Sequence, residues 1–339
     1  MKRALLISTG LAIALAVSLA STPVAGQTAG KAYTPPRTAD GQPDLQGVWD
    51  YRTVTPLERP AEFADKATLT DEEIAKYEKD RTAALDKDRR DAGAAADVAR
   101  AYNEFWWDYG KKVVGHQTSL IVDPPDGKIP YTADGNKRAN ARAVFQAANA
   151  REEGGVGRGF DSYTDRPFGE RCILWGVAGP PMMPGAYNNN VQIFQTKDWV
   201  VIYNEMIHEH RMVAMDGRRH VASSIRMLQG DSTGRWDGNT LVVDTTNFTD
   251  RTSFRGATQD MHLIERFTRT SPDTMVYEYT VSDPATYTKS WTARVPMSKN
   301  PEIVYEYACH EGNYALPHAL EGQRNIEKDA AAAAKTGSR

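Results

Sequence analysis

Seven histidines and a scatter of glutamates supply the titratable chemistry of this 339-residue chain. His208 and His210 are two positions apart. On a strand, both imidazoles project to one side, and Glu205, Ile207, Glu209 and Arg211 to the other. Such a pair suits a divalent metal, with a third ligand drawn from His262, His310 or Glu311. Two half-exposed histidines near a hairpin end are the simpler alternative, because no helical His-Glu-x-x-His chelating motif is present. Without metal the same groups can move protons. A carboxylate beside an imidazole fixes its tautomer and raises its pKa, and Glu205, Glu265 and Glu278 are the candidate partners. Neither route requires a cofactor beyond that metal.

Glu265 alternates with Leu263 and Phe267, so its carboxylate is directed to the core side, while His262 shares the opposite face with Ile264 and Arg266. A buried carboxylate is costly unless paired. It is therefore either an acid or base inside a barrel or half of an ion pair with Arg211 or Arg266, the second being the simpler. Cys309-His310-Glu311-Gly312-Asn313-Tyr314 is the densest polar constellation. There His310 can serve as a base, with Asn313 and Tyr314 orienting a substrate, or the run is a tight turn and no more. Phe105-Trp106-Trp107-Asp108-Tyr109 holds four aromatics in five positions, more than one face of a helix or strand can bury. Trp106, Trp107 and Tyr187, the last beside Asn188-Asn189-Asn190, are candidates for stacking on a sugar or phenolic ring; a plug in a barrel mouth is the alternative.

The elements that must position these groups are mostly strands. Leu45 to Trp49, Thr118 to Val122, Val191 to Thr196, Trp199 to Tyr203, Arg211 to Ala214, Thr240 to Asp244, His262 to Arg269, Thr274 to Val281, Tyr287 to Val295 and Glu302 to Tyr307 are predicted as strands. Turn signals such as Asp237-Gly238-Asn239 and Pro272-Asp273 separate them. Evenly spaced strands with tight turns predict a mainly β protein, an antiparallel barrel or sandwich, within one β-rich domain over 46–322. A helical insertion over about 66–151 interrupts it, with a capping box at Thr70 and Glu73 and a second helix over Lys137 to Arg151. Residues 27–45 form an N-terminal arm and 323–339 a flexible or frayed helical tail.

Met1-Lys2-Arg3 precedes an apolar run, Ala4 to Leu19, too short to span a bilayer. With small residues following, 1–26 is predicted to be a signal peptide and the mature protein periplasmic or secreted, with no membrane span after cleavage. The formal charge of −3 becomes −5 without Lys2 and Arg3, which argues against nucleic acid as a partner. Cys172 and Cys309 are the two cysteines. In an exported chain a disulfide is favoured over two separate thiols, and it would draw Arg171 and Trp175 towards His310.

Gly230-Asp231-Ser232-Thr233-Gly234-Arg235-Trp236-Asp237-Gly238-Asn239-Thr240-Leu241-Val242-Val243-Asp244-Thr245 resembles the signature of a large family of uncharacterised exported bacterial proteins. Glu205-Met206-Ile207-His208, Glu265-Arg266-Phe267 and Cys309-His310-Glu311-Gly312-Asn313-Tyr314 are similar to its other shared segments. That resemblance implies export and no particular activity. Gly47-Val48-Trp49 is also similar to the Gly-x-Trp opening of lipocalin-like barrels.

No glycine-rich phosphate loop follows a strand, and no Gly-x-Ser-x-Gly elbow is present. Two functions remain. One is an exported lyase, isomerase or hydrolase acting on a small aromatic, terpenoid or sugar-derived compound. Its catalytic groups would be His208, Glu205, His310 and His262, with Arg211 and Asn313 stabilising charge. The other is a lipocalin-like carrier that binds such a compound unchanged. Convergence of His208, His262 and His310 within about 8 Å favours the enzyme. Dispersal over the outside favours the carrier.

Overall fold

The computed structural model describes residues 33–86, 88, 93–95, 105, 107–141, 159–252 and 254–337. The predicted signal peptide, Trp106 and all of 142–151 lie outside the described residues. The strands are β1 (Gly47–Asp50), β2 (Ile121–Asp123), β3 (Asn190–Gln195), β4 (Trp199–Asn204), β5 (His210–Ala214), β6 (Asp231–Asp237), β7 (Thr240–Thr246), β8 (His262–Ser271), β9 (Thr274–Ser282) and β10 (Trp291–Asn300). Nine of them close a barrel in the order β1-β3-β4-β5-β6-β7-β8-β9-β10, with β10 returning to β1. Val48 pairs with Asn300 and Asp50 with Ser298, while Ala293 of the same β10 edge pairs with Ile121 of β2. β2 thus continues the line of β1. The closed ring decides between the two β architectures predicted, in favour of the barrel.

Alternation builds the wall. In β8 and β9 every second residue is buried, from Leu263 to Phe267 and from Met275 to Val281. The hairpin signal at Gly238 is met by a two-residue turn between Asp237 and Thr240, with Gly238 at φ 60°. Three expectations need correction. The strand expected over Tyr287 to Val295 starts instead at Trp291 and runs to Asn300, Tyr287 making only an isolated bridge to Tyr131. Glu302 to Tyr307 is not a strand. One edge of β10 is taken by β9 and the other by β2 and β1, so no ladder is open to a further strand. The wall is also mixed rather than wholly antiparallel, because β5 and β6 run parallel at the single register pair Ala214–Thr233.

That seam is short, and Gly234 is adapted to it. A Cβ there would lie 2.8 Å from Val213 Cγ1, with Met215 closer still, so a side chain would force the two strands apart. From inside, the seam is spanned by an ion pair. The Arg211 guanidinium of β5 donates to both carboxylate oxygens of Glu265 on β8, with Nη2 to Oε1 at 2.9 Å. The Tyr277 hydroxyl of β9 donates to the same Oε1 at 2.7 Å and accepts from the Met182 amide at 3.1 Å. Ser232 of β6 and Thr245 of β7 share a 2.9 Å hydrogen bond between them. Five adjacent strands therefore contribute one polar tier, in which Glu265 is fully buried. The remaining interior is filled by Trp49, Phe267, Tyr279 and Trp291, each fully buried, with aliphatic neighbours.

Helix α1 (Asp71–Leu85) begins at the predicted box: Thr70 Oγ1 accepts from the Glu73 amide, and the Glu73 carboxylate accepts from the Thr70 amide at 3.0 Å. Residues 133–141 are helical, starting earlier than Lys137. Helix α2 (Ala315–Gly337) covers the described part of the tail.

Removing one partner of a buried pair leaves the other charged and unpaired. Glu265→Ala is expected to lower unfolding free energy by about 3–5 kcal/mol in urea titrations, and Arg211→Met with Glu265→Leu together by much less. Equal losses in the single and double variants would contradict the staple.

Candidate functional site

The strand directions put the ends of β1, β4, β7 and β9 and the starts of β3, β5, β8 and β10 at one barrel mouth. The candidate groups lie around it in three places.

The first is a pair of clefts beneath α1. One has a volume of about 290 Å³ and is walled by Arg52, Trp107, Asp108 and Lys112; the other, of about 320 Å³, by Leu57, Arg81, Met183 and Arg255. Tyr109 and Leu85 belong to both. Trp107 stacks on Tyr109 with ring centroids 5.1 Å apart and planes 7° apart, and Tyr187 meets Trp107 edge-on at 6.0 Å. The loop is held by Asp108, whose amide donates to Ala186 O at 2.6 Å and whose carbonyl accepts from Asn189 Nδ2 at 2.8 Å. Charges in the first cleft are balanced: Arg52 joins Asp50 and Asp108, and Lys112 joins Glu78. The second has two arginines and no carboxylate among its described wall residues.

The second place surrounds the disulfide, which joins Cys172 to Cys309 across a separation of 137 residues, with Cα atoms 5.8 Å apart. His208 and His310 approach to 6.5 Å between ring centroids, and His208 Nδ1 lies 3.2 Å from Tyr307 O. The expectation that His208 and His210 share a strand face is overturned. Residues 206–208 form a 3-10 turn, and Ile207 and His208 have φ of 56° and 46°. Strand alternation therefore begins only after His208. A β-branched residue at positive φ is strained, and here Ile207 is held by burial beside Met206 and Ala178. Among the described residues no group of three or more His, Cys, Asp and Glu side chains is arranged to hold a metal ion. Glu205 is buried and accepts from Asn190 Nδ2 at 2.8 Å. Asn313 caps α2, its Oδ1 accepting from the Ala315 amide at 3.1 Å, and Tyr314 is exposed. Arg211 faces the barrel interior instead, bound to Glu265. Glu278 points outward to Arg294 at 2.8 Å.

The third place is the outer wall. His262 Nε2 lies 2.8 Å from Asp244 Oδ1, which His220 Nε2 also approaches at 3.3 Å. His220 Nδ1 is 2.9 Å from Asp231 Oδ2. The hydrogen bond between His262 and Asp244, with their mutual charge, raises the His262 pKa and lowers that of Asp244. His262 starts β8, three strands round the ring from β5, or roughly 14 Å at a strand spacing of about 4.8 Å. It does not join His208 and His310.

Sequence reasoning missed Tyr109, Arg81, Arg255, His220 and Asp244 as site groups. Tyr109 was visible within the aromatic run. The partnership of Asp244 and His262 depends on the β7–β8 register, in which Asp244 faces Ile264, and that is a tertiary fact. Comparison of the chain with protein-family models, curated proteins and solved structures gave no match.

Two outcomes follow. Serine at both Cys172 and Cys309 is expected to lower stability by about 4 kcal/mol, because the bond restricts a long loop in the unfolded chain. An unchanged urea midpoint would contradict that. For His262 the ordinary pKa is 6.5 and for Asp244 it is 3.8. The raised imidazole contributes stability below pH 6.5 that fades as pH climbs through its folded value; the depressed carboxylate contributes above pH 3.8 and fades as pH falls. His262→Gln should therefore cost most between about pH 4 and 6 and least above about pH 8, read as thermal midpoints across pH. A deficit constant with pH would refute the coupling.

Proposed function

We propose that this is an exported small-molecule-binding protein whose ligand sits at the barrel mouth, against Tyr109, rather than in the lumen. One observation carries the reading: two clefts of about 290 and 320 Å³ meet at a single aromatic stack, the geometry that receives a planar ring. The filled interior supports a rim site over a lumen site, since a carrier lumen needs open apolar volume. Separation of His262 from His208 and His310 supports binding without turnover. The Cys172–Cys309 bond is compatible with export, and no described helix is long and apolar enough to cross a membrane. The predicted leader and the resemblance to an exported family agree with that compartment. A small aromatic or sugar-derived compound is the partner this reading requires, with no cofactor.

The enzyme reading keeps one observation, the carboxylate-held imidazole of His262. Turnover of any screened compound that disappears in His262→Gln would favour it.

Intrinsic fluorescence and calorimetric titration with lignin-derived phenols and aryl glycosides test the binding reading. Stacking of about 1.4 kcal/mol corresponds to ten-fold in affinity, so Tyr109→Ala should weaken binding by roughly that factor. Full affinity in Tyr109→Ala, or no binding of any aromatic compound at millimolar concentration, would end the proposal.

A further inference from the structure

We infer that the ligand of the mouth is an organic anion, its carboxylate received by Arg255 with Arg81 across the second cleft; this rests on the binding reading above. Among its described wall residues that cleft carries Arg81 and Arg255 and no acidic residue, although the chain as a whole is net negative. Among the described residues neither arginine has a carboxylate within 4.0 Å; the side-chain contact of Arg255 is with Met183 Sδ at 4.0 Å. Elsewhere on this surface Arg52, Arg218, Arg266 and Arg294 are each taken by an aspartate or glutamate. Two unopposed guanidinium groups in one concavity, beside the Tyr109 ring, complement a molecule with a planar apolar body and an acidic end.

The backbone presents Arg255 deliberately. Its φ is 51°, a left-handed conformation that costs energy for a residue with a Cβ. Neighbouring bonds hold it there: Tyr287 Oη donates to Phe254 O at 3.1 Å, and Arg138 Nε donates to Gly256 O at 3.1 Å. At Gly256, with φ 82°, a Cβ would lie 2.9 Å from the Ala139 amide nitrogen, so this turn packs tightly on the 133–141 helix. A second, independent feature lies behind the arginine. Burial pushes the hydroxyl of Tyr131 up to about 12 and raises those of Tyr279 and Tyr287, and the Arg255 charge opposes the shift in all three. These phenols therefore stay protonated beside a cation. Tyr279 Oη, like the indole nitrogen of its neighbour Trp291, is wholly buried and has no hydrogen-bond partner among the described residues.

The test compares ferulate with coniferyl alcohol, which share a ring and differ in the acid, by calorimetry on the full mature chain. Ferulate is expected to bind about ten-fold tighter, and added salt should erode that preference. Arg255→Met should weaken ferulate about ten-fold more than coniferyl alcohol and so abolish the preference, and Arg255→Lys should restore part of it. Should Arg255→Met fail to fold, Arg81→Gln and the salt dependence of the unaltered protein decide the matter. Equal binding of the two compounds, or equal weakening of both by Arg255→Met, would overturn the anion assignment and leave the mouth site standing. Failure of both compounds to bind would remove the mouth site and the assignment together.

Discussion

The Arg211–Glu265 pair is the constraint on which this barrel depends. Hydrogen-bonded strands hold every other junction of the ring, but β5 and β6 meet at one parallel register pair. A barrel with a short seam can open there unless something bridges it. The pair does so from within, linking β5 to β8 beneath β6 and β7, and Tyr277 extends the link to β9 and to the Met182 amide. Burying two charges is expensive, and the cost is offset only because both carboxylate oxygens and the guanidinium are hydrogen-bonded. The same interaction that secures the wall also occupies the centre of the lumen.

On the binding reading, a filled lumen places the ligand at the rim. Trp49, Tyr279 and Trp291 fill the inside, so the proposed recognition uses segments that enter and leave the strands. These segments divide by chemistry. Around Arg52 opposite charges cancel and the surface is stitched together. Around Arg255 positive charge is left unopposed, beside an aromatic stack that the Asp108 and Asn189 bonds hold in place. The disulfide acts on a different part of the rim, fastening the chain that follows β10 to the loop at Cys172.

Legibility differed between the wall and the rim for a physical reason. Strand alternation is local, so the inward direction of Glu265 and the outward direction of His262 and Glu278 could be read from neighbouring residues. Alternation also puts Arg266 on the face opposite Glu265, but that Arg211 is the partner could not be read, since it turns on which strands lie three apart around a closed ring. His208 shows how a local rule fails. Alternation was applied across Glu205 to Arg211, yet a 3-10 turn with two residues at positive φ occupies 206–208. Burial of Ile207 against Met206 outweighed its backbone preference, and burial is a tertiary term.

By itself the amino-acid order determined the location and period of most strands, the turn at Gly238, the cap at Thr70 and the sidedness of Glu265, His262 and Glu278. All of these arise from interactions within a few residues. Only the folded chain decided that the strands close into a ring, that β5 and β6 run parallel, that Glu302 to Tyr307 has no edge to join, and that the histidines stand apart. It also decided that Arg255, unremarkable in sequence, has no carboxylate within 4.0 Å among the described residues. Those outcomes depend on contacts between residues far apart in the chain, whose energies have no signature in local composition.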